Sequence, residues 1–354
     1  MGEDSARKHP AVLQGAIVPS VLITGAGGLI GSHVAEAARK AGYAVTRIFR
    51  KAPLPEDSDV LQRDLRLPLQ EVPPVDSIFH LAGGYAGADR RALEGADLLI
   101  ARNLIRWGLD HGVKNWVFAS AAEVYGRVDG LATERTATKP VIPYGHIKLA
   151  IEHLLLQIGK DQPDCRVTIL RIGEVYGSES RLLRELAARL KRGFCPCPGS
   201  GQVAVSFVHV EDVAQAFLRA ADRAPIGVSV YNVADDEPAT WRSFVHYLAE
   251  LLGTRPPVFF PYPLAYAYML GHQLRCRIAN QEPVLTSHAL RLLTTPKALS
   301  NRKIKQDLGF IPCLPNFRHG LETILHGLSH DEQNGAKERS APNQAAENRD
   351  PAFR

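Results

Sequence analysis

Two side chains four residues apart, Tyr144 and Lys148, form the pair in this sequence best suited to moving a proton. They open an apolar-periodic segment that continues Leu149-Ala-Ile-Glu-His-Leu, so phenol and ammonium share one helical face. A phenol with its ordinary pKa of about 10 is a weak catalyst at neutral pH, and a cation one turn away favours the phenolate. Such a pair needs a bound group to act on. Val21-Leu-Ile-Thr-Gly-Ala-Gly-Gly-Leu-Ile-Gly31 supplies a place for one. The apolar run ends at Thr24, and a helical pattern begins at Leu29 with Ile30, Val34, Ala38 and Ala41 on one face. Gly25 permits a sharp turn, Gly28 keeps side-chain atoms away from a phosphate, and Gly31 lets helix and strand approach closely. With the helix N-terminus at Leu29 and Ile30, this turn predicts a cradle for the pyrophosphate of a dinucleotide.

The elements that must position these residues follow from the rest of the chain. At 354 residues, with 45% hydrophobic and 22% charged residues, it has the composition of a soluble globular protein with a substantial core. Strand-like runs at Ala44–Phe49, 59–63, 77–81, 116–119 and 167–170 alternate with helical patterns at Leu29–Lys40, 96–111 and 144–157. That alternation predicts an α/β fold: a Rossmann-type, doubly wound parallel sheet whose ligand crevice lies at the carboxyl ends of the strands. Residues 20–172 form the expected nucleotide-binding domain, with returning segments near 205–235. A smaller, mostly C-terminal substrate lobe is expected over 173–328, where Pro-rich joints separate helices. Residues 1–19 and 329–354 lack apolar periodicity and are expected to be a disordered lead-in and tail.

Composition also excludes function classes. The net charge of +5 is not gathered into a run of interleaved basic and aromatic residues, so no nucleic-acid partner is expected. Five cysteines do not make a disulfide framework, which points to a reducing, cytoplasmic setting. Cys195 and Cys197 flank Pro196 without a second Cys/His pair at zinc spacing, so no metal is expected. No apolar run reaches the roughly eighteen residues of an integral membrane span. Val258–Leu270, interrupted by Pro261 and Pro263, is read as a buried or substrate-lining segment rather than a membrane anchor, with weak surface association as the alternative. His80 and His209 lie in apolar strand-like runs and are read as structural, as are the helix-opening Glu211 and Asp212.

Seven segments in order, Asp64-Leu65, Phe79-His-Leu-Ala-Gly83, Ala119-Ser-Ala-Ala-Glu-Val-Tyr-Gly126, Arg171-Ile-Gly-Glu-Val-Tyr-Gly177, Phe207-Val-His-Val-Glu-Asp-Val213, Tyr231-Asn-Val233 and Asn301–Pro312, give a specific resemblance. From about residue 20 to 328 the chain resembles an extended short-chain dehydrogenase/reductase of the NAD(P)-dependent epimerase/dehydratase family. The resemblance implies an oxidoreductase passing hydride between a nicotinamide and a carbonyl or alcohol carbon, with Tyr144 as acid/base. Lys148 would hold the nicotinamide ribose. It implies that Asp64 and Leu65 meet the adenine, and that Leu81, Ala82 and Gly83 in Phe79-His-Leu-Ala-Gly form a cofactor wall. Val175 would contribute from Arg171-Ile-Gly-Glu-Val-Tyr-Gly177. A homodimer through the helices at 96–111 and 144–157 is also implied.

Two departures from the family pattern bear on chemistry. The position that carries a Ser or Thr donor in the family is Ala121 here; neighbouring Ser120, Glu123, Thr133 or a water are the candidates to replace it. Ser120 serves only if the strand end is shifted, because adjacent strand residues face opposite ways. The arginine that sugar-nucleotide enzymes carry before Phe207-Val-His-Val is missing, and Ala204-Val-Ser stands there. This departure resembles the 3β-hydroxysteroid-dehydrogenase-like branch and implies a small-molecule substrate that is bulky and apolar. After the second strand, Arg50 and Lys51 stand where an acid would accept a ribose hydroxyl, so NADP is expected over NAD. The rival expectations are a nucleotide-sugar epimerase or dehydratase using transient hydride transfer, and a catalytically weak NAD(P)-binding regulatory protein.

Overall fold

A computed structural model describes residues 18–50, 59–84, 90–279 and 287–326. Lys51, most of the lead-in and the tail lie outside the described residues. Seven strands make one parallel sheet: β1 (Ser20–Thr24), β2 (Ala44–Phe49), β3 (Val60–Gln62), β4 (Ser77–His80), β5 (Asn115–Ala121), β6 (Arg166–Ile172) and β7 (Gly227–Val233). Their order is β3-β2-β1-β4-β5-β6-β7. The chain therefore turns back at β1, and the crevice between β1 and β4 is the place where such sheets bind ligands.

Alternation along the strands builds a core on each face. Val21, Ile23, Phe79, Val117 and Ala119 enter one layer, with Val34 and Ala38 of helix α1 (Leu29–Lys40). Leu22, Ile78, Trp116 and Phe118 enter the opposite layer. There they meet Ala101 and Leu104 of α2 (Arg90–Asp110) and Ile151 and Leu155 of α3 (Pro143–Asp161). Register matching places Thr24 beside Ile48 and His80, and Ala121 beside Ile172, so these strands end at the same edge.

Beyond β6 follow α4 (Arg181–Lys191), α5 (Val210–Arg223) and α6 (Trp241–Leu251). While α5 packs on the sheet, α4 and α6 close over an aromatic cluster in which Phe207 and Phe244 stack with centroids 4.4 Å apart. Trp241 meets Phe207 edge-on at 5.1 Å.

The α1 boundaries agree with the periodicity of the sequence, whereas α2 starts six residues before the expected Ala96. Residues 228–233, read as a returning segment, form the body of the edge strand β7 along β6. The expectation that Val258–Leu270 is buried is corrected. After a short strand (Val258–Phe260), helix α7 (Tyr262–Ile278) buries only Ala265, Met269 and Cys276, and most of its other side chains are exposed. Its three-residue inner line is too narrow to make it a core helix.

Asp235, just past β7, is 2% exposed and sits beside the Tyr176 phenol. Burial first, and then the Asp212 carboxylate, push its pKa up to about 8. Between about pH 4 and 8 the folded protein holds a proton that the unfolded chain has released, so this group's contribution to stability falls as pH rises through that window. Asp235→Asn is expected to stabilise the fold at pH 8 and to leave stability at pH 4 nearly unchanged. Thermal unfolding at the two pH values measures this.

Candidate active site

The turn after β1 is shaped by contacts that leave no space for side chains. Gly25 has φ +74°, and a Cβ there would lie 2.6 Å from the Ala82 nitrogen. At Gly31 a Cβ would meet the Gly25 carbonyl oxygen at 2.2 Å. Thr24 ties the neighbouring strand ends together, its Oγ1 accepting the N–H groups of Leu81 and Ala82 at 3.2 Å each and pairing with His80 Nδ1 at 2.8 Å. Burial, and then the Lys148 charge, lower the His80 pKa to about 3, which keeps this imidazole neutral.

Helix α1 begins from Gly28 with no side-chain cap and no acid in its first turn. Its first N–H groups are thus left for an anion, at the positive end of the helix. They open on a cavity of about 360 Å³. Gly25, Gly28, Leu29, Ile30, Gly31, Leu81, Ser120, Tyr144, Lys148 and Val175 all line it. A glycine-walled cradle at one end and a phenol with an ammonium at the other fit a nicotinamide dinucleotide.

Lys148 is buried and donates to the Ala119 carbonyl at 2.8 Å, with its ammonium 4.9 Å from the Phe118 ring centroid and 5.5 Å from that of Tyr144. Burial lowers its pKa to about 8, against the opposing pull of Asp97, Glu123 and Glu152. The Tyr144 phenol is pushed well above its ordinary value, by burial first and then by Glu123, Asp97 and Glu174. Against the expectation that Lys148 favours the phenolate, burial and then these three carboxylates push the phenol pKa up in the protein alone.

Ser120 reaches the cavity lining, but its hydroxyl donates to Glu152, which is itself held by Arg171 through bonds of 3.0 and 2.6 Å. As a replacement for the missing donor at Ala121, Ser120 is therefore already committed elsewhere. Glu123 does line the cavity, together with Glu174, which the sequence reading missed. Both carboxylates pair with the buried ammonium of Lys297, more than a hundred residues further along the chain. Asp97 was missed as well. It accepts the Gly84 N–H at 2.7 Å and acts electrostatically on Lys148. Its one signal in the sequence is an acid on the same helical stripe as Ala101 and Leu104.

Arg50, Asp64, Leu65, Ala82 and Gly83 do not line the cavity. Asp64 pairs with Arg66, and Leu65 is packed in the core with its carbonyl accepting Asn103 Nδ2 at 3.0 Å. A side chain at Gly83 would approach Asp97 Oδ2 at 3.1 Å and Lys148 Nζ at 3.5 Å. Arg50 is exposed directly after β2.

The profile of the NAD-dependent epimerase/dehydratase family matches residues 21–234, from the first residues of β1 to the end of β7. The chain belongs to this family. Within it, the chain is 28% identical to the UDP-glucose 4-epimerase of Caenorhabditis elegans over 67% of its own length and 84% of that protein's. It is equally identical, over 83% of its length and 84% of the relative's, to short-chain dehydrogenase/reductase family 42E member 1 of Mus musculus. The solved structure of MoeE5 in complex with UDP-glucuronic acid and NAD is 25% identical, with a TM-score of 0.70, and the match covers 88% of this chain and 99% of that one. As a family member the chain is an NAD-dependent enzyme of the extended short-chain dehydrogenase/reductase type.

Proposed function

We propose that the enzyme is an NADP-preferring oxidoreductase acting on a carbonyl or alcohol carbon of a bulky apolar molecule. The observation that carries this reading is the placing of Tyr144 and Lys148 on the wall of the cavity that the glycine cradle opens into. NAD(P), when bound, supplies or accepts the hydride. Tyr144 Oη gives its proton to the substrate oxygen in reduction and takes it back in oxidation. Lys148 holds ribose hydroxyls and adds the positive charge that makes the phenol a better acid. Among the described residues, Glu123 and the water it can hold replace the hydroxyl that Ala121 lacks. A cytoplasmic homodimer through α2 and α3 belongs to the same reading.

An apolar substrate is supported by the strand that leads into α5. Val205 is fully buried and the Ser206 hydroxyl accepts the Leu299 N–H at 2.8 Å, so neither of these residues offers a cation to a diphosphate. A nucleotide-sugar epimerase remains the second reading. Arg291 favours it, lining a small cavity that shares Glu123 with the main one. Panels of sterols, aromatic ketones and UDP-sugars separate the two through the absorbance of reduced nicotinamide. The first reading expects net consumption of NADPH with an apolar ketone. Conversion of a UDP-sugar without net change in the cofactor supports the second and overturns the first.

Arg50 supports the choice of NADP, since a guanidinium at the end of β2 suits a 2′-phosphate. Arg50→Ser is expected to raise KM for NADPH about tenfold, roughly 1.4 kcal/mol of lost binding, with little change for NADH. A wild-type KM for NADH below that for NADPH would contradict the preference.

A further inference from the structure

Helix α7 presents an apolar surface that the fold leaves uncovered among the described residues. Leu264 and Tyr268 are 60% and 59% exposed, Leu274 59% and Ile278 79%, with Tyr262, Tyr266 and Leu270 also open. Single exposed leucines are ordinary, but a contiguous helical surface of this kind marks a site of association. The inner line of the helix is held by a small cluster in which Ala265 and Met269 meet Leu290 of α8 (Ser287–Thr294).

The charge pattern around α7 narrows what could cover it. Residues 251–281 contain no Asp or Glu, and Arg255, Arg275 and Arg277 are all exposed there. No helix among the described residues is long and apolar enough to cross a membrane. A second copy of this face would set guanidinium against guanidinium with no acid among the described residues of α7 to pair them. A bilayer with anionic headgroups meets every part of the surface. Leucines and Ile278 enter the acyl boundary, tyrosines sit at headgroup level, and the arginines extend to phosphate.

We propose that α7 lies flat on an anionic bilayer and docks the enzyme there. The helix, about 25 Å long, then rests beside α8, whose Arg291 lines the small cavity next to Glu123. An apolar substrate dissolved in the bilayer would thus have a short route to the site. The docking itself stands on α7 alone and does not depend on the substrate reading.

Flotation of the full chain with vesicles tests this. The expected result is recovery with vesicles of phosphatidylcholine containing about one third phosphatidylglycerol, at least about tenfold above that with phosphatidylcholine alone and weakened by salt. The double variant Leu270→Glu/Leu274→Glu should no longer float. Arg275→Gln/Arg277→Gln should lose about tenfold or more in partitioning. Both variants should keep wild-type NADPH binding and thermal unfolding; the arginine variant carries the test if the first fails to fold. Absence of wild-type flotation, or flotation unchanged in the arginine variant, overturns the proposal. So does a dimer in sedimentation velocity that the variants dissociate while vesicles bind nothing, which would make the face a contact between copies.

Discussion

Replacing Tyr144 by Phe is expected to lower kcat about a thousandfold while changing the Kd for NADPH less than about twofold. The substitution removes one oxygen. Positioned acid/base groups contribute about 10²–10⁴-fold, and the proposed proton donor is the phenol that lines the cavity beside Lys148. Ser120 cannot take over, because its hydroxyl is held by Glu152. Glu123 is tied by Lys297 into a buried ion pair. The measurement is steady-state turnover beside a fluorescence titration of NADPH. A Tyr144→Phe variant with near wild-type kcat would move the proton step to another group and favour a cofactor-binding role for this pair.

Gly31→Ala is expected to weaken NADPH binding about a hundredfold, roughly 2.7 kcal/mol. The new Cβ would meet the Gly25 carbonyl oxygen at 2.2 Å and Ala26 Cα at 2.9 Å, so the turn must open and the N–H groups of α1 lose their aim. Gly271→Ala is the control, because that position in α7 has no atom within 4 Å of a new Cβ. It should leave the Kd unchanged. Equal effects of the two substitutions would show that the loss comes from general destabilisation rather than from the cradle.

The residues that a short stretch of chain can place were legible in the sequence, and those that depend on distant segments were not. Gly25, Gly28 and Gly31 shape a single local turn, and Tyr144 and Lys148 share a face because a helix repeats every 3.6 residues. The parallel sheet followed from alternation for the same reason. The upward Tyr144 shift was not legible, because burial, its largest cause, comes from tertiary packing, and the carboxylates that add to it arrive from three separate places: Asp97 on α2, Glu123 after β5 and Glu174 after β6. No periodicity links them. Lys297 was invisible for the same reason, since it stands 174 positions beyond its partner Glu123. Ser120 was named from its neighbour at the missing donor, and only packing reveals that its hydroxyl faces Glu152. The exposure of α7 could not be inferred from its apolar composition, because a run of Leu and Tyr reads the same whether it is covered or open.

The account rests on a nicotinamide ring lying against Tyr144 while its pyrophosphate rests on the start of α1. A crystal structure of the full chain with NADP and a bound ketone tests that directly. It should show Tyr144 Oη within about 2.6–3.2 Å of the ketone oxygen and the carbonyl carbon about 3–3.5 Å from nicotinamide C4. A pyrophosphate seated away from Leu29–Gly31, or a Tyr144 oxygen turned away from the ring, would contradict it.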